Sequence, residues 1–120
     1  MKKICIIEDD QKVQKIYQEA LTKAGYQAIA YSDAKTGLMA LHNETPDLLL
    51  LDIMLPEGMN GFDVLEEMKR DDKLKNVPVI VLTNLDSERK VAEEIGANDY
   101  LVKAETTIDQ ILTKVASLVG

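Results

Sequence analysis

The sequence has no tryptophan, one phenylalanine, one cysteine, one histidine and three prolines. The lone Cys5 has no partner for an intramolecular disulfide. Lying in the apolar run at residues 4–7, it is expected to be a buried, inert thiol, and a reducing cytoplasm fits such a chain. Basic residues are also in the minority: 14 Lys and Arg stand against 21 Asp and Glu, a net charge of -7. That balance argues against sequence-independent binding to nucleic acid or to an anionic membrane, both of which need a basic face. Long hydrophobic runs are missing as well. Lys2 and Lys3 precede only four apolar residues before Glu8, too few for a secretory leader, and no run approaches transmembrane length.

What is present is a regular alternation within 120 residues, 46% of them hydrophobic, which fits one domain over residues 1–120. Residues 3–7 form a short β-branched run closed by Glu8, Asp9 and Asp10, and read as a first strand. Val13, Ile16, Tyr17, Ala20, Leu21 and Ala24 keep helical spacing up to the stop at Gly25. Residues 26–31 read as a second strand. Ser32 is the expected N-cap of a second helix that buries Gly37, Leu38 and Leu41. The four leucines at 48–51, bracketed by Pro46 and the Pro56/Gly58 turn, are too uniformly apolar for a surface helix. They predict a central strand buried on both faces.

Val64, Leu65 and Met68 mark a third helix with Phe62, expected to fray into the polar run at 70–76. Residues 77–82 are a further doubly apolar strand ending at Thr83 and Asn84. Ser87 is the expected cap of a short fourth helix through Val91 and Ile95, stopped by Gly96. Residues 100–102 form a fifth strand ending at Lys103, and Ile108, Ile111, Leu112, Val115 and Leu118 stripe a last helix. Five strand–helix alternations call for an α/β fold, a doubly wound parallel sheet with helices on both faces.

In such sheets ligands bind outside the carboxyl ends of the strands, where strand order switches. Glu8 and Asp9 would end the first strand, Asp52 the third, Thr83 the fourth and Lys103 the fifth. Taken singly, each has an ordinary explanation, such as a cap, a turn or a solvated cation; their convergence on one edge is what carries the functional signal. Two like charges about 4 Å apart repel by ~4 kcal/mol at an effective dielectric near 20. The three carboxylates therefore need a proton, Lys103 or a metal ion. A hard divalent cation such as Mg²⁺, which takes one or two carboxylates and keeps waters, fits this donor set. Zinc does not, because Cys5 lies within a strand and His42 at the end of the second helix.

With IIEDD at residues 6–10, LLLLDIMLP at 48–56, VIVLT at 79–83 and GANDYLVK at 96–103, the whole chain resembles the receiver domains of two-component response regulators, of the chemotaxis-regulator type. The resemblance implies a flavodoxin-like sheet of order 2-1-3-4-5 with five helices. It implies that Asp52 accepts a phosphoryl group from a sensor histidine kinase or a small phosphodonor. Asp9, Asp52 and the backbone carbonyl of Met54 would hold Mg²⁺, with Glu8 acting through a water. Lys103 and the Thr83 hydroxyl would bind phosphoryl oxygens, and Tyr100 would be the aromatic switch that turns inward behind Thr83. Output would pass through the face of the fourth helix, fifth strand and fifth helix, a face that also allows a homodimer. The partner would be a downstream effector or a histidine phosphotransfer protein, since no output domain is expected in these residues. The resemblance implies a signalling domain that promotes its own phosphorylation and dephosphorylation, not an enzyme acting on other substrates.

Three features depart from the family pattern. The 56–61 loop is one residue longer than usual, the 83–103 segment is about two residues shorter, and Ala104 stands where proline follows the lysine. Without proline a cis bond costs roughly 2.5 to 4 kcal/mol, so a trans Lys103–Ala104 bond is expected. The alternatives are a metal-dependent phosphatase with an Asp nucleophile and a scaffold that works without phosphate. The first needs a general acid two residues after Asp52, where Met54 stands. The second makes no use of the five site residues. A flavin module would need a phosphate-cradling loop after the first strand, where Glu8 and Asp9 would repel the ligand.

Overall fold

In a computed structural model of the protein, which describes residues 1–56 and 58–119, strands and helices alternate from end to end. The strands are β1 (Lys3–Ile7), β2 (Gln27–Tyr31), β3 (Leu48–Leu51), β4 (Val79–Thr83) and β5 (Asp99–Val102). They form one parallel sheet in the order β2-β1-β3-β4-β5, as the flavodoxin-like expectation required. The helices are α1 (Gln11–Lys23), α2 (Ala34–Asn43), α3 (Gly61–Arg70), α4 (Arg89–Ile95) and α5 (Ile108–Val119). A single 3-10 turn, Lys103–Glu105, joins β5 to α5.

Side-chain alternation along the strands divides the core in two. Ile4, Ile6, Leu48, Leu50, Ile80 and Leu82 face one way and pack with Tyr17 and Leu21 of α1 and Ile111 and Val115 of α5. Cys5, Ile7, Leu49, Leu51, Val79 and Val81 face the other way, toward α2, α3 and α4. A strand flanked by helices on both sides must be apolar at every position, which is why β3 can be four leucines, each at most 1% exposed. On the second face α2 lies so close to β1 that a Cβ on Gly37 would come within 2.7 Å of Ile7 Cγ1.

Several boundaries differ from expectation for identifiable reasons. Asp33, not Ser32, caps α2, its carboxylate accepting from Thr36 N at 2.7 Å. Ser32 Oγ instead receives the Gln14 side-chain amide at 3.0 Å. Ser87 does not cap α4, which starts after Glu88 without a side-chain cap and is seven residues long. The polar run after α3 does not fray. Asp71 Oδ1 accepts from Lys73 N at 2.8 Å and Leu74 N at 3.1 Å, and this turn buries Leu74 completely. Val77 belongs to the same turn, donating to Leu74 O at 3.0 Å, so β4 begins two residues later than the apolar run does. β2 begins at Gln27 and β5 at Asp99, each one residue from its expected start.

The Lys103–Ala104 bond is trans, and no cis bond occurs among the described residues. The 56–61 loop, expected to be one residue longer than usual, includes Glu57, which lies outside the described residues; Gly58 beside it has a φ of +79°, a region suited to glycine.

Candidate functional site

The carboxyl edge of the sheet opens into a cleft of about 310 Å³ lined by Glu8, Asp9, Asp52, Met54, Thr83, Asn84 and Lys103, with Asp10 and Val13 at the side of α1. Glu8, Asp52 and Thr83 arrive by the same device. A strand buried on both faces delivers its last side chain at the point where helical cover ends, and a polar group there is tolerated because the cleft admits water. Glu8 follows β1, Asp52 follows β3, Thr83 ends β4 and Lys103 follows β5. Main-chain bonding carries the ladder past the strand ends, with Asp52 N donating to Ile7 O at 3.0 Å.

Three of these groups are buried: Glu8 is 2%, Asp52 6% and Thr83 1% exposed. The Lys103 ammonium donates to Asp52 Oδ2 at 2.8 Å and to Glu8 Oε1. Glu8 also accepts from Asp10 N through Oε2 at 3.1 Å, and Asp52 Oδ1 accepts from Met54 N at 3.3 Å. Burial raises the carboxyl pKa of Glu8, with the Lys103 hydrogen bond opposing the rise. On Lys103 burial acts downward, but the hydrogen bonds it donates to the Asp52 and Glu8 carboxylates, with their charge, outweigh it and the ammonium pKa is raised. Lys103 is therefore held as a cation between two acids.

Asp9 is exposed, yet one oxygen from each of Glu8, Asp9 and Asp52 lies within 4.8 Å of the others. The donor set is hard oxygen throughout, and one ammonium faces three carboxylates. These residues fit a divalent cation that takes carboxylate ligands and keeps waters. Asp10, not Glu8 or Asp9, caps α1 by accepting from Lys12 N at 2.9 Å. That leaves both preceding acids available to the cleft.

Tyr100 is not in the cleft. It is fully buried on β5, opposite Val81, and connects to the site at one remove. Leu85 N donates to Thr83 Oγ1 at 3.4 Å, and the Leu85 carbonyl accepts from the Tyr100 hydroxyl.

Sequence reasoning missed three supporting residues. Gln14 reaches from α1 to the Glu8 carbonyl. Asn84 Oδ1 accepts from Ala104 N at 3.1 Å and ties the residue after Lys103 to the end of β4. Arg89 lies over the Tyr100 ring. Asn84 alone gave a signal, as a polar residue directly after a doubly apolar strand; the other two act across elements whose docking periodicity does not encode.

Fold and cleft together define an α/β module of five parallel strands with an acidic, lysine-containing cleft at the carboxyl edge of its sheet. The family profile of the response regulator receiver domain matches residues 4–116, and the chain belongs to that family. Among curated relatives, HprR of Escherichia coli, named a transcriptional regulatory protein, is 43% identical over 103 residues, covering 84% of this chain and 44% of its own. AfsQ1 of Streptomyces coelicolor, also named a transcriptional regulatory protein, is 38% identical over 105 residues, covering 86% of this chain and 45% of its own. The chain thus spans less than half the length of these relatives. Their names give no support to the expectation of a protein that stays away from nucleic acid.

Among solved structures, the BeF3-activated N-terminal receiver domain of Klebsiella pneumoniae RstA superposes with a TM-score of 0.89 at 29% identity, covering 98% of this chain and 97% of its own. The Mn²⁺-bound form of response regulator Rcp1 gives 0.80 at 28% identity, covering 94% and 88%. No helix among the described residues is long and apolar enough to cross a membrane.

Proposed function

We propose that the chain is a cytoplasmic receiver that accepts a phosphoryl group on Asp52 from a sensor histidine kinase, or from a small phosphodonor, with Mg²⁺ in the cleft. The observation that carries the reading is the position of Asp52. It is a buried carboxylate at the end of the central strand, joined to Lys103 at 2.8 Å and next to two further acids.

Asp52, Asp9 and the Met54 carbonyl are the proposed metal ligands, with Glu8 acting through water. When bound, the metal supplies positive charge beside the entering phosphoryl oxygens and offsets the repulsion among the carboxylates. The residues of the chain do the positioning. An Asp52 oxygen attacks phosphorus, the P–N bond of the donor phosphohistidine breaks, and its electron pair returns to the imidazole, which takes a proton from water. Lys103, already hydrogen-bonded to Asp52, follows the charge as it moves onto the phosphoryl oxygens. The Thr83 hydroxyl, whose oxygen among the described residues accepts the long bond from Leu85 N, has its proton available for another phosphoryl oxygen. Phosphoryl transfer needs little more from a protein than such alignment and charge stabilisation.

In this reading the phosphorylated state is read at the α4–β5–α5 face, where Tyr100 links the cleft to α4. The partner there is a downstream effector or a histidine phosphotransfer protein, and a second copy of the chain is a further proposed occupant.

Intact-mass measurement after incubation with acetyl phosphate tests the proposal. One phosphoryl adduct is expected with Mg²⁺, none without it and none in Asp52→Asn. An undiminished adduct in the variant removes Asp52 from the role.

A further inference from the structure

Helix α4 is poorly anchored. It is seven residues long, has no side-chain N-cap, and fully buries only Ala92. At its first residue, Arg89, the guanidinium carbon stands 5.2 Å from the centroid of the Tyr100 ring. No carboxylate lies within ion-pair distance of Arg89 among the described residues, although Asp86 and Glu88 are near enough to bear on the same phenol. The ring face is therefore the directed neighbour of this cation, and an aromatic face attracts a cation through its quadrupole. Arg89 is itself exposed, while the ring beneath it is fully buried.

From the ring the connection runs toward the cleft. The Tyr100 hydroxyl donates to the Leu85 carbonyl, and the N–H of Leu85 donates to Thr83 Oγ1 at 3.4 Å. One residue is thus held from both ends, by a tyrosine under Arg89 and by a threonine that lines the cleft.

We infer that Arg89 is a positioning residue that holds Tyr100 inward by covering its ring, and so holds Leu85 in the arrangement that ties it to Thr83. The inward tyrosine then depends on a residue of α4 as well as on events in the cleft. Anything that draws the guanidinium away, such as an acidic group of a partner docking on α4, releases the ring and through Leu85 alters the Thr83 hydroxyl. The coupling to Asp52 chemistry rests on the function proposed above; the hold on the ring does not.

The test separates the two. The full chain is labelled with 3-fluorotyrosine and its fluorine spectrum recorded without phosphodonor, the Tyr100 resonance being assigned by Tyr100→Phe. Arg89→Ala and Arg89→Met should move that resonance toward the solvent-exposed position, reducing the inward-to-outward ratio on the order of fivefold. Arg89→Lys, which keeps a cation, should largely retain it. A spectrum of Arg89→Met matching the unaltered protein would show that stem packing and not charge holds the ring, and overturns the inference.

The same variants are then timed with acetyl phosphate and Mg²⁺. A several-fold slower adduct in Ala and Met, restored in Lys, supports the link through Leu85, and equal rates with a displaced ring overturn that link. Failure of the unaltered protein to form the adduct counts against Asp52 as acceptor, while the fluorine spectra still decide the role of Arg89.

Discussion

Gly61 lies directly against the backbone that carries Asp52. A Cβ on Gly61 would come within 2.8 Å of Ile53 Cα and closer still to the Asp52 carbonyl oxygen, while its own N–H donates to Ile53 O at 2.9 Å. The entrance of α3 is thus packed on the main chain of the loop after β3 with no space for a methyl group. Alanine is the better helix former, so Gly61→Ala would be stabilising if helix propensity decided the outcome. Sterics are expected to win instead: a loss of about 1 to 3 kcal/mol, as for other overpacked sites, with slower adduct formation on Asp52. Urea denaturation beside intact-mass timing checks both, and a variant as stable as the parent would contradict the close packing.

The acids of the cleft should be unequal in metal binding. Asp9 is exposed and its side chain accepts no hydrogen bond among the described residues, whereas Glu8 is engaged by Lys103 and by the Asp10 N–H. Asp9→Asn is therefore expected to weaken Mg²⁺ binding more than Glu8→Gln. Equal losses in a calorimetric titration would refute the assignment of Asp9 as a direct ligand.

The phosphoryl group on Asp52 should be long-lived. Hydrolysis needs a group that orients water in line with phosphorus, and Met54 and Leu85 supply none. Met54 offers a thioether, Leu85 an alkyl chain, and the Asn84 amide oxygen is taken by Ala104 N. Decay of the adduct over seconds, followed by mass after removal of the phosphodonor, would defeat this expectation.

Cys5 predicts an alkaline weakness. It is 3% exposed between β2 and β3, and burial pushes its thiol from 9.0 up to about 12. Between those values the unfolded chain has lost the thiol proton while the folded chain keeps it. The unfolded state then binds fewer protons, so stability falls as pH rises, by up to about 1.4 kcal/mol per pH unit from this group alone. Cys5→Ala should be the less stable protein at pH 7 through lost packing, but the gap should narrow by pH 11 in paired denaturation curves. An unchanged gap would show that the folded thiol ionises normally.

Much of the fold and of the acid cluster was legible in the sequence, for a shared physical reason. Four consecutive leucines admit only an element covered on both sides, and in a parallel sheet the polar residue after such a strand has one edge to occupy. Asp52, Thr83 and Lys103 follow from that. Capping was less legible, because Ser32 and Asp33 are both good caps and only the docked position of Gln14 decides between them. Val77 was counted with β4 because it is apolar and next to the strand, although its hydrogen bond belongs to the turn that buries Leu74. The hold of Arg89 on Tyr100 was hidden altogether, since it depends on how α4 lies over β5.

The brevity of α4 has a consequence for how a signal can leave this molecule. Amide exchange in native proteins proceeds through partial openings, whose free energies range from near zero in weakly packed segments to the global value in core strands. α4 contributes one fully buried alanine, while β3 beside Asp52 is sealed on both faces. Detaching α4 breaks no strand pairing, so the region proposed to report the state of the cleft is expected to open as a cooperative unit of its own. Under the proposed function, Asp52 would stand beside the strand expected to exchange most slowly, while the α4 face that would read its state samples alternatives at small thermal cost.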